Sequence, residues 1–160
     1  MKQYTLFLFF SILLAFQANG QNNSTAENDF RTSMLTAVNN LRVKGCNCSG
    51  TVMPPVKKLT WNSQLETAAI RHATDMAQNN YFSHVSQNGD EVDTRISATG
   101  YDWSFVGENI AHGYDEIEPV MKGWVDSYGH CVQLMSAEVT EIGVAKYGTY
   151  WVMDFAKPLK

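Results

Sequence analysis

Two histidines and one glutamate are the residues of this sequence whose types and positions best suit chemistry. His84 follows Tyr81-Phe82-Ser83 directly after a predicted helix, and His130 precedes Cys131 at the end of another. Both positions suit loops, which often present side chains to a cleft. Glu108 lies in an apolar segment typical of a buried strand, where a carboxylate needs a partner because an isolated buried charge is very costly. Histidine is a natural partner, which suggests a cluster of these three side chains.

Such a cluster suits a divalent transition metal such as Zn²⁺, held by His84 and His130. A catalytic zinc site usually has three protein ligands, and Glu108 is the candidate third ligand or the hydrogen-bond acceptor behind a histidine. The patterns H-E-x-x-H and G-x-S-x-G do not occur in the sequence. Because neither an activated nucleophile nor an oxyanion hole is evident, binding is favoured over catalysis, with Glu108 as the one candidate catalytic residue.

The remaining histidines have simpler interpretations. His72 is in line with Leu65, Ala69 and Met76 on one helix face, which is typical of a packed, hydrogen-bonded core histidine. His112 ends an apolar stretch and is expected in a loop.

Three cysteines allow at most one internal disulfide. Cys46 and Cys48 are too close in sequence for an unstrained bridge between them. The favoured bridge joins Cys131 to Cys48, with Cys46 as the alternative to Cys48. A three-cysteine metal site is the rival interpretation, although this spacing is weak evidence for one.

The first twenty residues resemble a cleavable export signal. Lys2 precedes an apolar run over residues 5–16, and small residues at 18 and 20 favour cleavage before Gln21. The run is shorter than the roughly 20 apolar residues of a membrane-spanning helix. We therefore expect a signal peptide over 1–20, a flexible segment over 21–28 and one domain over 29–160, secreted outside the cell or into a periplasm.

Charge argues against two classes of partner. The formal net charge is −4, and loss of Lys2 with the export signal would make it −5. Without a basic stripe or patch, neither nucleic acid nor an anionic membrane is an expected partner. We expect a monomer that binds a small molecule, a lipid or a peptide, with no integral membrane segment after cleavage.

Apolar spacing and turn residues predict helices before strands. Helices are expected near 27–44, 63–78, 93–99 and 116–127, a loop at 45–58, a strand at 107–111, and a late hairpin from 142–145 and 150–153. This order predicts an α+β fold with helices on a small, mostly antiparallel sheet.

Five segments in order resemble the CAP superfamily, which groups cysteine-rich secretory proteins, antigen 5 and pathogenesis-related 1 proteins, and in particular its bacterial SCP-like members. The segments are Leu59-Thr60-Trp61-Asn62 with its continuation to Ala77, Phe82-Ser83-His84, Gly107-Glu108-Asn109-Ile110-Ala111, Trp124-x-x-Ser127-x-Gly129-His130-Cys131, and Glu141-Ile142-Gly143-Val144 with Tyr150-Trp151-Val152-Met153-Asp154-Phe155. The likeness covers about residues 31–158.

The resemblance implies a three-layer α-β-α sandwich with a central cleft lined by two histidines and two acids. His84 and His130 match the histidines, and Glu108 matches one acid. At the place of the second acid this chain has Ser127. The expected cleft is therefore His84, Glu108, Ser127 and His130.

Three functions follow as hypotheses. The first is a secreted binding module whose cleft takes a small ligand, a lipid or a peptide, with or without a metal. The second is a metal-assisted hydrolase of peptide or cell-wall material, in which Glu108 or a histidine is the general base. The third is an interaction protein whose histidines and acid are only structural. A fold alone does not choose among them.

Overall fold

The computed structural model describes residues 6–160, with side chains from residue 25 onward. The predicted export signal therefore lies partly outside the described residues. Among the residues that are described, no helix is long and apolar enough to cross a membrane.

The described part of the chain begins with one long helix, continues with a small hairpin, and then alternates between helices and strands. They are α1 (Leu6–Lys44), β1 (Cys46–Cys48), β2 (Thr51–Met53), β3 (Thr60–Trp61), α2 (Ser63–Gln78), α3 (Val92–Ser97), β4 (Trp103–His112), α4 (Ile117–Asp126), α5 (Tyr128–Leu134), β5 (Glu141–Tyr147) and β6 (Tyr150–Pro158).

Helix α1 ends as predicted, before Gly45 with φ 74°, but it begins well before residue 27. It includes residues 21–28, which we expected to be loose. An established helix adds residues more easily than a new one nucleates, so the preceding apolar run can extend the helix through this polar stretch. Residues up to Ser33 form a unit separate from Met34–Lys160, and in it Arg31 pairs with Glu27 at 2.7 Å.

The main sheet has four strands in the order β3-β5-β6-β4. β5 and β6 form the predicted hairpin, β4 pairs antiparallel with β6, and only the short β3 runs parallel to its neighbour β5. The sheet is therefore mostly antiparallel, as the sequence predicted, and β4 lies at its edge.

Helices cover both faces of this sheet. On one face Ile110 of β4 packs against Ala69 and Ala73 of α2. On the other face the amide of Asn109 donates to the carbonyl of His130 in α5 at 3.1 Å. Since adjacent residues of a strand point to opposite faces, α2 and α5 lie on opposite sides. This is the predicted α-β-α sandwich.

Close packing of α2 on the sheet depends on one glycine. A Cβ at Gly143 of β5 would lie 2.0 Å from the backbone nitrogen of Glu66. Only a residue without a side chain lets the start of α2 approach the sheet this closely. The first turn of α2 is in turn held by Asn62, whose side chain accepts from the backbone nitrogens of Gln64 and Leu65.

Two local predictions were wrong. The segment 45–58, expected to be a loop, contains the hairpin β1–β2. Its turn is formed by Ser49 and Gly50 with φ of 48° and 100°, the positive values that two-residue hairpin turns require. His130, expected in a loop, lies in α5, because the extended backbone of Ser127 ends α4 and a new helix begins at Tyr128.

Candidate functional site

The Glu108 carboxylate lies at the centre of a buried polar network. Its side chain is only 2% exposed, and His84 approaches from a loop with its ring 55% exposed. The Nδ1 atom of His84 is 2.7 Å from Oε1 of Glu108. Because an ionised carboxylate has no proton to give, Nδ1 must carry the hydrogen and donate it. In the neutral ring, Nε2 is then left with its lone pair.

Arg95 of α3 forms a hydrogen bond with the other carboxylate oxygen of Glu108. Its Nη2 atom donates to Oε2 at 2.6 Å, while Nη1 donates to the backbone oxygens of His84 and Asp90 at 2.9 and 2.7 Å. One buried guanidinium therefore neutralises the carboxylate and also holds the loop that carries His84. Both oxygens of Glu108 are engaged in charge-assisted hydrogen bonds.

His72 lies behind this pair, as expected of a core histidine. Its Nε2 atom is 2.9 Å from the carbonyl of Ser83 and 4.0 Å from Oε2 of Glu108, and its Nδ1 atom is 3.3 Å from the hydroxyl of Ser86. Burial lowers the pKa of His72, against the opposing charge of Glu108. A neutral ring that donates from Nε2 fits these contacts.

Asp154 is a second buried carboxyl group beside Glu108. The β4–β6 register places the two residues directly opposite each other, and Asp154 is fully buried. Burial, followed by the charge of Glu108, raises the pKa of Asp154 well above its ordinary value. Burial opposes ionisation of Glu108 too, but the hydrogen bond from His84 and the charge of Arg95 hold its pKa below the ordinary value. Ionisation of the pair is therefore favoured on Glu108 rather than on Asp154.

His130 is held on the opposite side of the sheet. It precedes Cys131, which forms a disulfide with Cys48, the pairing favoured in the sequence. The bond from Asn109 to the carbonyl of His130 fixes the same turn of α5 to β4. Burial, followed by the charge of His84, lowers the pKa of His130. Both effects favour the neutral form of its imidazole.

His84 and His130 line one open cavity of about 500 Å³ at the edge of the sheet. Ser127, the residue at the position of the expected second acid, lines it as well. The other walls are formed by residues of the His84 loop, β4, α4 and the connection between these two elements, namely Phe82, Ser83, Ile110, Ala111, Tyr114, Gly123 and Trp124. Three of the four predicted cleft residues thus share this cavity, and Glu108 lies behind His84 with its carboxylate turned to Arg95.

The predicted residues do not form a three-ligand metal site. Among residues 25–160, one trio of histidine, cysteine or acidic side chains has ligand atoms all within 4.8 Å of one another, and it consists of the three cysteines. The histidine cavity itself offers two imidazoles, those of His84 and His130.

Two residues of the network were missed in the sequence. Arg95 was not singled out, and no local signal in the sequence marks it as a buried residue. Asp154 was treated as part of a strand motif, although a carboxylate between Met153 and Phe155 in an apolar strand is as unusual as Glu108. His112 ends β4 rather than occupying a loop, and it stacks on Tyr150 with ring centroids 4.0 Å apart.

Comparison with known proteins agrees with this architecture. The model of the CAP family, described as the cysteine-rich secretory protein family, matches residues 35–155. The chain belongs to this family.

Three known proteins are similar to this chain. The chain is 35% identical over 100 residues to the uncharacterized membrane protein YlbC of Bacillus subtilis, with 62% of this chain and 29% of that protein covered. An extracellular SCP-domain protein of Bacillus anthracis has a structure similar to this one with a TM-score of 0.62 and 31% identity, over 64% of this chain and 34% of that chain.

An outer surface protein of Borrelia burgdorferi aligns over 82% of this chain and 94% of its own, with a TM-score of 0.70 and 22% identity. That likeness supports the fold. The chain spans only about a third of the two Bacillus proteins, so it corresponds to one domain of each.

Proposed function

We propose that the protein is an exported binding module whose cleft takes a small ligand, a lipid or a peptide at His84 and His130, with a zinc ion as an optional bridge. The observation that carries the proposal is that both carboxylate oxygens of Glu108 already accept hydrogen bonds. Its two oxygens accept from His84 and Arg95, so this carboxylate orients a histidine, as the acceptors behind metal-binding histidines do. The Nε2 atom of His84 remains free of that bond.

The cavity provides what a binding site needs. Ligand pockets are usually concave and largely apolar, with a few polar groups that fix orientation. Here the side chains of Phe82, Tyr114 and Trp124 form the aromatic part of the wall. The two imidazoles and the Ser127 hydroxyl provide the polar groups. Neutral imidazoles can bind a metal or accept and donate hydrogen bonds.

The same geometry disfavours a metal-assisted hydrolase. A general base must lie within hydrogen-bond reach of the proton that it removes. Glu108 is almost fully buried, and it is paired with a guanidinium that stabilises its ionised form. A carboxylate in that state is a poor acceptor for a proton from water, so the sequence candidate for catalysis is better suited to positioning.

A purely structural role is the alternative that the network itself favours. Glu108, Arg95 and the backbone of His84 connect β4, α3 and the loop after α2. If this were the whole role, His84 and His130 would contribute to stability and nothing would bind between them.

Zinc binding distinguishes the alternatives. Calorimetric titration of the mature protein with Zn²⁺ should show one site, and His84→Ala and His130→Ala should each weaken it on the order of 10- to 100-fold. His112→Ala is the matched control, because His112 is exposed and does not line the cavity. Equal zinc affinity in all four proteins would refute the metal part of the proposal.

Ligand binding without metal needs a separate test. A library of lipids, peptides and cell-wall fragments can be screened by NMR on the apoprotein in the presence of a chelator. Binding should shift resonances of Phe82, Ser127 and His130 and weaken in His130→Ala. Hydrolysis of any screened compound that stops in the two histidine variants would instead support the hydrolase.

Export has a test of its own. Two observations support export: residues 1–20 resemble an export signal, and the similar Bacillus anthracis protein is described as extracellular. N-terminal sequencing of protein recovered from the medium or periplasm should begin at Gln21. Protein that remains in the cytoplasm with Met1 intact would contradict export.

A further inference from the structure

A third cysteine sulfur lies against the disulfide, outside the histidine cavity. Sγ of Cys46 is 3.8 Å from Sγ of Cys48 and 3.7 Å from Sγ of Cys131. Cys46 is the one free thiol of the described chain, and the two bridged sulfurs belong to fully buried residues. The hairpin β1–β2 brings Cys46 and Cys48 to the same place, and α5 brings Cys131.

We propose that, when the disulfide is reduced, these three cysteines form a site for the soft monovalent cation Cu(I). This site is independent of the proposed function of the histidine cavity. In the oxidised protein the bridge occupies two of the three ligands. The site is therefore opened by a thiol reductant and closed by oxidation.

The spacing of the sulfurs fits a metal ion. Once the S–S bond is broken, the Cys48 and Cys131 sulfurs move apart to at least a non-bonded contact, and each already keeps such a distance from Cys46, near 3.8 Å. An equilateral triangle of that edge has its centre about 2.2 Å from each corner, close to the ≈ 2.3 Å of a metal–thiolate bond. The backbone needs little adjustment, since the Cα atoms of Cys48 and Cys131 are already 5.5 Å apart.

The surroundings select the kind of metal. The sulfurs pack against apolar and thioether side chains, which are Met135, Met53, Leu41, Val56, Val125 and Val132. Thiolate and thioether ligands favour Cu(I), whereas structural zinc almost always takes four ligands in a tetrahedron. Three thiolates with two methionines nearby therefore suit Cu(I) better than Zn²⁺.

The chemistry balances with a thiol as co-reactant. Two equivalents of a low-molecular-weight thiol give two electrons and two protons to the Cys48–Cys131 bridge and become a disulfide themselves. Cu(I) then binds the three sulfurs, and up to three protons leave for solvent, because a metal-bound thiol is deprotonated. A low-molecular-weight disulfide reverses this: it takes two electrons from the Cys48 and Cys131 thiolates and two protons from solvent, leaves as two thiols, and the restored bridge releases the ion.

The test is an anaerobic titration of the full-length protein with Cu(I), buffered by a competing Cu(I) chelator. The reduced wild-type protein should bind one equivalent with a copper–sulfur distance of about 2.2–2.3 Å by X-ray absorption. Cys46→Ser should weaken binding on the order of 100-fold, although its oxidised form keeps the bridge and its melting temperature. The oxidised His84→Ala/His130→Ala protein, which lacks the cavity imidazoles, should not compete with the chelator.

Two controls keep the result interpretable. A His84→Ala/His130→Ala variant should bind Cu(I) as the wild type does, which separates this site from the cavity. If reduction unfolds the chain, one equivalent of Cu(I) should refold it, because metal binding contributes folding free energy. Equal affinity of Cys46→Ser and wild type, binding by the oxidised His84→Ala/His130→Ala protein, or a reduced chain that Cu(I) neither binds nor refolds would each overturn the proposal.

Discussion

The two histidines of the cavity are held by opposite means. His84 sits on an exposed loop and is fixed by a buried ionic network through Glu108 and Arg95. His130 sits on a helix fixed by the disulfide at Cys131 and by apolar packing around it. An ionic network responds to pH and to loss of a partner, whereas a disulfide responds to reductant. One cavity therefore has two walls that can be disturbed independently.

Removing the disulfide should have the largest effect. Its cysteines are 83 residues apart, and the chain-entropy model gives about 4.5 kcal/mol of stabilisation for a loop of this length. Cys131→Ala should lower the free energy of unfolding by about that amount, measured by guanidinium denaturation. Cys48→Ala should lose less, because Cys46 can then bridge Cys131. Equal losses in the two variants would show that Cys46 cannot replace Cys48.

Removing Arg95 should have the second-largest effect, and it should act on the side of the cavity that carries His84. Arg95→Met leaves the buried Glu108 charge without its cation, and breaking a buried pair in this way costs about 3–5 kcal/mol. The double variant Arg95→Met/Glu108→Gln removes both charges and should recover more than half of the loss. A double variant no more stable than Arg95→Met would mean that packing, and not charge, explains the effect.

The Asp154 carboxyl should make the stability of the folded protein depend on pH. Its pKa is raised in the folded state, so its contribution to stability is complete below its unfolded pKa and is lost as pH rises toward the folded value. Asp154→Asn should therefore stabilise the protein at pH 7, by on the order of 1 kcal/mol, with a smaller difference from wild type near pH 4. Melting temperatures of both proteins across this range test the sign. A stabilisation by Asp154→Asn that grows toward acid pH would contradict the expected sign.

A surface ion pair should have the smallest effect and sets the baseline for the comparison. Lys122 and Asp126 pair one helical turn apart on the exposed face of α4, and exposed pairs of this kind contribute little. Lys122→Ala should leave the melting temperature and zinc affinity within error of wild type. A clear change in either would show that α4 couples to the cavity more strongly than its contacts indicate.

Much of the fold could be predicted from local sequence. Apolar residues at helical spacing identified α2 and α4, and turn residues identified the β5–β6 hairpin. These features depend on neighbours within a few positions, which is the range over which periodicity and turn chemistry act. Helix α5 was missed because it is only seven residues long and follows α4 directly, so its pattern merges with that of α4.

The candidate site was predicted less completely. The sequence singled out His84, His130 and Glu108 as unusual for their surroundings, and it favoured Cys48 as the partner of Cys131. It did not identify Arg95, because nothing local shows that a helix of six residues will turn its arginine inward. It also did not show that Cys46 would remain within 4 Å of both bridged sulfurs.

The sequence by itself determined most of the element types, the family and the residues from which a cleft could be built. Those properties follow from side-chain type and short-range spacing. Only the tertiary structure decided that Glu108 faces Arg95 and Asp154, and that the third thiol lies beside the disulfide. These contacts depend on strand register and on how α3 and α5 pack against the sheet, and such pairings join residues far apart in the chain.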